Sequence, residues 1–589
     1  MEVVTIMKNK MMNFKPSRLW LCLAAAITLS SCGGTGQDDG EVNSAQLDAQ
    51  GLSIDGYLAR ATVFVDSNNN GTRDPWEAWA FTDNDGYYGF NPLTGVDYCA
   101  ANASEQQQEY CLTSNVEFGN AVIRIDSGYD VTTGEPFLGQ LSRRVDLSSG
   151  TSDVVVSPIT TLLANVDTSQ RNTLIDVLDI EESDLDVDYL NVDGGGQINA
   201  KLLNKAVKIH KTVTVLADRL EDNYTEIGET IGVANDASDT VYKALADVVA
   251  QVASNAADPA AITFNEIVSV PANMVQTLDS AEEDVKEIYQ QKDLTLPQDL
   301  GSVEAPGQLE KVANAASKLP AVVDAVLDEN STELTMEQAS GSARAIEAVV
   351  IKVVEDNTGT DDSVDTAIDF FTNTANTELV AALTQSLSGD NADVGGLAAN
   401  DFAGDDFDSV EEITQAAALP ADVQPFTTVA GRKLKMSVLD LGERPFSADD
   451  KEYEFYFEGQ EGDIEGSFRA CVKHVEGANE NTGTLGDGNT RGELVKGFWS
   501  MLGASSAKKQ SFSLLITITF LGTRYQGILK PNGMETIMEG DEEVEYHKIR
   551  FDNNGEILRV HSLEGFEELV ATPTTNQECQ QRLPSRLDL

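Results

Sequence analysis

Asp66-Ser67-Asn68-Asn69-Asn70-Gly71-Thr72-Arg73-Asp74-Pro75-Trp76-Glu77 is the stretch on which the reading of this chain turns. It sets oxygen-bearing residues at loop positions 1, 3, 5, 9 and 12 and a glycine at 6, the spacing of an EF-hand-like calcium loop. Calcium takes about six to eight hard oxygens at roughly 2.3–2.6 Å, and alternate side chains of a tight loop converge on one point when a glycine permits the turn. Asp66, Asn68 and Asn70 are expected to ligate through their side chains and Thr72 through its carbonyl. Asp74 would act directly or through water, and Glu77 would close the site as a bidentate carboxylate. The competing reading is an Asx-rich turn without metal, since Asn and Asp favour turns anyway. The flanking runs, Ile54 to Val65 and Trp79 to Phe90, read as strands rather than helices.

Downstream lies Thr82-Asp83-Asn84-Asp85-Gly86-Tyr87-Tyr88-Gly89-Phe90, in which Asp83 and Asp85 are weaker ligand candidates that also suit a turn. Together with the strand and loop before it, this segment resembles the B-type, transthyretin-like sandwich repeats of bacterial surface adhesins. The resemblance covers about residues 50–150 and departs from those repeats through the inserted Cys99 to Cys111 segment. It implies a small β-sandwich in which the Thr-Asp-x-x-Gly-x-Tyr-x-Phe run closes a hairpin.

The N-terminus carries Lys8, Lys10, Lys15 and Arg18 and then the short apolar run Leu19 to Leu29, the pattern of a secretory signal peptide. Its end, Leu29-Ser30-Ser31-Cys32, resembles the bacterial lipobox, which implies lipidation of Cys32 and membrane anchoring. Gly33 in place of Asp after that cysteine implies the outer membrane, at the cell surface or on its periplasmic face. Met7, Met11 and Met12 are alternative starts to Met1. Residues 1–31 are therefore expected to be a signal peptide and 32–50 a flexible Gly/Asp/Gln-rich tether.

The net charge is −57, and loss of the basic leader makes it more negative still. Such a chain repels nucleic acid and anionic headgroups and attracts divalent cations. Of six cysteines, Cys22 leaves with the leader and Cys32 takes the lipid, so Cys99, Cys111, Cys471 and Cys579 remain. In an oxidising envelope these suggest two disulfides, and sequence proximity favours Cys99 with Cys111 and Cys471 with Cys579. No pair has a zinc-site spacing.

The expected fold class is multidomain β + α + β. Residues 51–155 form the calcium-loop β-sandwich, 156–387 a helical bundle, 388–424 an acidic linker and 425–589 an antiparallel β-sandwich or barrel. Ser157 and Pro158 mark the first helix start. Helical spacing recurs at Leu202, Ala206, Ile209, Val213, Leu216 and Leu220, at Val241 to Val252, and in one stripe from Val364 through Ala375 to Leu387. Asn532-Gly533 and Asn554-Gly555 read as hairpin turns between alternating strands. Phe498, Trp499 and Tyr525 read as strand core before ligand lining.

None of the histidines His210, His474, His547 and His561 lies in a metal-protease, Cys/His or nucleophile-elbow setting. No catalytic set is assigned. The leading expectation is a lipid-anchored, calcium-binding envelope protein with an adhesive or matrix role, its partner a surface polysaccharide or protein. The alternative is a lipoprotein whose C-terminal β region captures a glycan, peptide or lipid. Replacing the expected anchor, Cys32→Ala, should abolish fatty-acid labelling and move the protein from the membrane to the soluble fraction. Each buried CH₂ of the acyl chains contributes about 0.8 kcal/mol of anchoring, so unchanged membrane retention would contradict the lipobox reading.

Overall fold

The computed structural model describes residues 47–582, leaving out 115–119, 147–153, 227–232, 292–307, 356–361, 439–450, 476–489, 503–509 and briefer stretches. Cys32, the expected signal peptide and the expected tether up to residue 46 lie outside the described residues. The chain is of mixed β/α class with a curled antiparallel sheet at its C-terminal end.

The first part holds β1 (Leu47–Ala49), β2 (Gly51–Ser53), β3 (Leu58–Ala59), β4 (Thr62–Asp66), β5 (Trp79–Phe81), β6 (Tyr87–Tyr88), β7 (Phe90–Asn91) and β8 (Val96–Asp97). After a short helix α1 (Glu105–Gln108) follow β9 (Leu112–Ser114), β10 (Asn120–Asp126), β11 (Tyr129–Asp130), β12 (Gln140–Asp146) and β13 (Val154–Val156). The larger sheets run β12-β10-β4-β5 and β13-β2-β6. Neither run predicted as a single strand stays whole. Between Ile54 and Val65 the chain turns at Arg60, which has a left-handed φ of 56°. Its buried guanidinium lies 4.7 Å over the Tyr110 ring and within 3.7 Å of Glu109, and these contacts hold the bend. Between Trp79 and Phe90, Asp83 Oδ1 accepts from the backbone N–H of Asp85 and Tyr87 at 2.8 and 2.9 Å. That Asx turn carries the chain from the β5 sheet to the β6 sheet, a corner and not a hairpin.

Ser157 caps α2 (Pro158–Ala164), accepting from Thr160 N at 3.2 Å with Pro158 at the helix start, as the sequence predicts. Then come α3 (Thr168–Leu178), α4 (Ala200–Glu226), α5 (Val233–Asn255), α6 (Phe264–Val268), α7 (Pro271–Gln291) and α8 (Gln308–Val326). The long helices pack in a ring, α4 on α5, α5 on α7, α7 on α8 and α8 on α4. The predicted stripe of α4 is the buried one, from Leu202 to Leu220. Next are α9 (Met336–Glu355), α10 (Asp362–Thr372), α11 (Thr377–Leu387), α12 (Val394–Ala398) and α13 (Val410–Ala416).

The stripe from Val364 to Leu387 is two helices. Asn373 accepts from Ala375 N with its side chain at 3.0 Å, and this local bond ends α10 and leaves Ala375 exposed. Within residues 388–424, α12 packs on α9 and α13 on α11, while Phe402 and Phe407 stack at 5.1 Å beside Phe370. Apolar residues spaced among the acids are enough to seat this stretch on the helices, so it does not run free as a linker. One hydrophobic cluster extends from Ala49 through the helices to Ala417.

The C-terminal sheet holds β14 (Arg432–Val438), β15 (Lys451–Phe457), β16 (Glu465–Val475), β17 (Thr490–Met501), β18 (Leu514–Phe520), β19 (Thr523–Glu539), β20 (Glu542–Asn553), β21 (Glu556–Ser562) and β22 (Phe566–Glu568), then α14 (Asn576–Arg582). From β14 to β21 each strand pairs antiparallel with the next, and β14 pairs with β15 on one side and with both β21 and β22 on the other, so the sheet curls back onto its first strand. Residues two apart, Phe455 and Phe457, Phe468 and Ala470, Trp499 and Met501, Leu514 and Ile516, share one buried cluster. Asn532-Gly533 is not a hairpin turn: it lies inside β19 as a bulge, where the register shifts between Pro531 and Met534. Pairing of β19 with β20 continues past it to Glu539 with Glu542. Asn553 pairs with Glu556, and the predicted turn at Asn554-Gly555 between them lies outside the described residues.

Gly341 makes the tightest helix contact. A Cβ there would stand 2.1 Å from the Thr384 carbonyl of α11, and Arg344 one turn on donates to the Leu387 and Gly389 carbonyls at 2.8 and 2.7 Å. Gly341→Ala gains helix propensity of about 1 kcal/mol yet forces the backbones apart, at a cost of about 1–3 kcal/mol for overpacking. A net loss of thermal stability is expected, whereas an exposed Gly→Ala in a helix would raise the midpoint; calorimetry decides.

Candidate functional site

The loop from Asp66 to Glu77 leaves β4 and returns into β5. Gly71 takes φ +79° with open space around its Cα, the conformation position 6 requires. Asp66 is buried: Oδ1 accepts from Asn70 N at 3.1 Å and Oδ2 from Gly71 N at 2.9 Å. Asn68 Nδ2 and Asn70 Nδ2 both donate to Asp74 Oδ2, at 2.9 and 3.1 Å. Asn70 Oδ1 accepts from the Thr72 N–H at 2.9 Å. Glu77, also buried, closes the loop through Ser67 N at 2.8 Å and Asp74 N at 3.1 Å.

Thus Asn68, Asn70 and Asp74 are brought to one point, while Asp66 and Glu77 anchor the two ends. A carboxylate has about four lone-pair directions. Asp66 uses three, two on backbone N–H groups and one on Arg124, and Glu77 uses three on Ser67 and Asp74. Among the described residues no group of three or more His, Cys, Asp or Glu is gathered closely enough to hold a metal by itself. The donor set of this loop fits a hard cation only with the amide oxygens of Asn68 and Asn70 included, each turned by half a rotation from its bond to Asp74.

Sequence reasoning missed what holds the loop from behind. Arg124, in the middle of β10 and 4% exposed, bonds Asp66 Oδ2 through Nε at 2.6 Å and Asp239 of α5 through Nη1 at 2.9 Å. Nη1 also donates to Gln140 Oε1 at 2.6 Å and Nη2 to Asn69 Oδ1 at 3.3 Å. Gln140 Nε2 in turn donates to the Gly71 carbonyl at 3.0 Å. Burial works against the Arg124 charge, and Asp239 and Asp66 outweigh it, so its pKa lies above the usual value. The signal was present in Ala121-Val122-Ile123-Arg124-Ile125, where a charge interrupts an apolar run and demands a partner.

A second polar cluster lies where the strands meet the helices. Asp55 is 3% exposed, with Oδ2 at 3.4 Å from His210 Nε2 and 3.9 Å from Lys211 Nζ. Lys211 reaches Glu347 of α9 at 2.9 Å, and His210 is stacked on Phe137 and bonded to Tyr242 at 3.2 Å. Burial, then the nearby Lys211 charge, holds the His210 pKa well below the ordinary value, so the ring is neutral. Burial depresses the Lys211 charge too, but Glu347, Asp55 and Asp130 more than restore it and its pKa is raised. Burial pushes Asp55 up to about 7, against the pull of Lys211. The cluster is closed off by Tyr189, whose hydroxyl donates to the Ile54 carbonyl at 2.8 Å.

The two cysteine pairs expected from proximity are at bonding distance, Cys99 with Cys111 and Cys471 with Cys579, with Cα–Cα separations of 4.9 and 5.2 Å. The second fixes α14 against the outside of the curled sheet beside Tyr456. Trp499 is fully buried, 6.1 Å edge-on from Phe457, and is core. Among the described residues no helix is long and apolar enough to cross a membrane. No protein-family model, curated protein or solved structure matches this chain.

Asp55 makes stability depend on pH with a definite sign. Its folded pKa, about 7, lies above the ordinary aspartate value of 3.8. Its contribution is therefore fully present below about pH 4 and is lost as pH rises toward 7, on the order of 4 kcal/mol over that window. Asp55→Asn should flatten this part of the profile and raise stability at pH 8 relative to the parent. Denaturant midpoints of both proteins at pH 5 and 8 test it, and parallel profiles would refute it.

Proposed function

We propose that this protein is a lipid-anchored, calcium-stabilised component of the bacterial outer membrane with an adhesive or matrix role. Its layout is a small N-terminal β-sandwich, a helical bundle and a C-terminal β-barrel. The observation that carries the reading is the convergence of Asn68, Asn70 and Asp74 on one point of a loop whose ends are fixed by Asp66 and Glu77. Backbone bonds to Asp66 and Glu77 fix the loop's ends, so binding asks mainly that the Asn68 and Asn70 amides turn and exchange their bonds to Asp74 for the cation. The anchor rests on the Leu29-Ser30-Ser31-Cys32 pattern and the net charge of −57 favours capture of divalent cations.

The alternative of ligand capture inside the C-terminal sheet gains no support from the described interior. Phe455, Phe457, Phe468 and Trp499 fill it, with rings 5.4 to 6.1 Å apart.

Calcium should stabilise the whole chain from residue 32, because the core behind the loop is shared with the helices. Binding to the folded state alone adds about 2.7 kcal/mol at a hundredfold excess over Kd. Extracellular modules bind calcium with Kd values of about 10⁻⁴ to 10⁻³ M, so a few millimolar calcium should raise the melting temperature and chelator should reverse it. Glu77→Gln should remove most of the shift, and Asp83→Asn should leave it. Identical melting with calcium and with chelator would make the loop a polar turn and end this reading.

A further inference from the structure

Beside the loop, two of the chain's four tryptophans face solvent: Trp76 is 63% exposed and Trp79 39%. Large apolar side chains are costly to leave in water, and an exposed indole is more informative than an exposed leucine. Trp76 sits in the turn closed by the Glu77 N–H on the Asp74 carbonyl, at 3.1 Å, and Trp79 begins β5, the edge strand of its sheet. Trp79 and Phe81 share one side of that strand and meet edge to face at 5.0 Å. Phe81 is covered by Tyr98 and Tyr110, next to the disulfide that closes Cys99 to Cys111. Cover stops at Trp79, across whose ring Arg73 lies at 4.5 Å.

We propose that Trp76, the more open of the two, and Trp79, once the exposed Arg73 side chain swings off its ring, form a stacking platform for an uncharged polysaccharide, deepening the adhesive role proposed above and resting on it. The apolar C–H face of a pyranose ring suits the electron-rich face of an indole. The exposed loop side chains Ser67, Asn68, Asn69 and Asn70 supply polar groups at the border for its hydroxyls. Charge selects the occupant. A chain of net charge −57 repels polyanions and anionic lipid, while the Arg73 guanidinium on Trp79 disfavours a cationic polymer at this spot. A neutral, hydroxyl-rich ring polymer meets all of these conditions.

The test uses the chain from residue 32 in native affinity electrophoresis with soluble amylose, hydroxyethyl cellulose and galactomannan as neutral probes. Alginate serves as the anionic control, and vesicles of phosphatidylethanolamine and phosphatidylglycerol test the lipid alternative by flotation. At least one neutral polymer should retard the protein and shield tryptophan fluorescence from acrylamide. Trp499 is fully buried, so the quenchable signal comes from Trp76 and Trp79. Trp76→Ala and Trp79→Ala should each weaken retardation about tenfold or more, as truncation of an aromatic anchor does, and Trp76→Phe should recover part of it. Both alanine variants should keep the parent's calcium-dependent melting shift, which separates this inference from the calcium reading. Absence of retardation by all three neutral polymers overturns the platform, as does retardation unchanged in the double alanine variant. Vesicle binding lost in the same variants overturns it in favour of lipid. Neutral-polymer binding by a protein without a calcium shift would uphold the platform and remove the calcium reading.

Discussion

The guanidinium of Arg124 is the interaction around which the N-terminal half is arranged. A charge 4% exposed in the centre of β10 is tolerable only if carboxylates meet it, and two do, Asp66 at 2.6 Å and Asp239 at 2.9 Å. One belongs to the loop and the other to α5, so a single side chain fixes the loop, the sheet and a helix with respect to each other. Gln140 repeats the connection, taking a bond from Arg124 and giving one to the Gly71 carbonyl. Removing any one partner would leave another buried polar group unmet, which is more costly than never having placed the group there.

That constraint explains why strands and helices here share one core. With Ala49 to Ala417 in one apolar cluster, the polar groups at the junction cannot be hydrated and must be satisfied by each other. Asp55, His210, Lys211 and Glu347 come from three separate stretches of chain and meet in one chamber. The histidine is neutral there because burial and then the adjacent Lys211 charge hold its pKa down, and the lysine is charged because Glu347, Asp55 and Asp130 outweigh its burial. Seen from the sequence, His210 was a lone helical histidine; the structure makes it part of the seam, stacked on Phe137 of the strand region.

Local patterns were legible and long-range ones were not. The apolar spacing of α4, the Ser157 cap, the alternation of β15 to β18 and the Cys99–Cys111 pair follow from neighbours in the chain, and Cys471 with Cys579 is the pair then left. The strand breaks at Arg60 and Asp83 do not, because the side chains that hold them come from elsewhere: Tyr110 and Glu109 for one, Tyr98 and Asn91 for the other. Asn532-Gly533 carries the strongest short-range hairpin signal and still lies in a bulge, since pairing continues past it to Glu539. Of the loop, the ligand spacing was plain in the sequence, whereas its support by Arg124, Gln140 and Asp239 required knowing which strands and helix lie behind it. The acid-rich stretch after Ser388 looked like a connection because its charges outnumber its aromatic residues, yet Phe402 and Phe407 suffice to dock it.

Buried charges are matched inside and leave the exterior anionic. Among the described residues Arg60, Arg124, Lys208, Lys211 and Lys352 are all buried, and the first four face carboxylates. Acids are drawn inward with them, Asp55, Asp66, Glu77, Asp83, Asp130, Glu282 and Glu454, so in a chain with 40 basic and 97 acidic residues the surface keeps the anionic excess of the composition. The field outside then sorts ligands before any contact is made: polyanions are held off, small cations are concentrated, and uncharged molecules are indifferent to it. Arg73 is the exception at the loop, an exposed base kept in place by the face of Trp79 rather than by a carboxylate. The proposed cation in the loop and the proposed neutral polymer on the tryptophans are both compatible with this charge distribution. Neither has to displace the other, because the loop's converging groups are Asn68, Asn70 and Asp74 whereas the platform is built from Trp76 and Trp79.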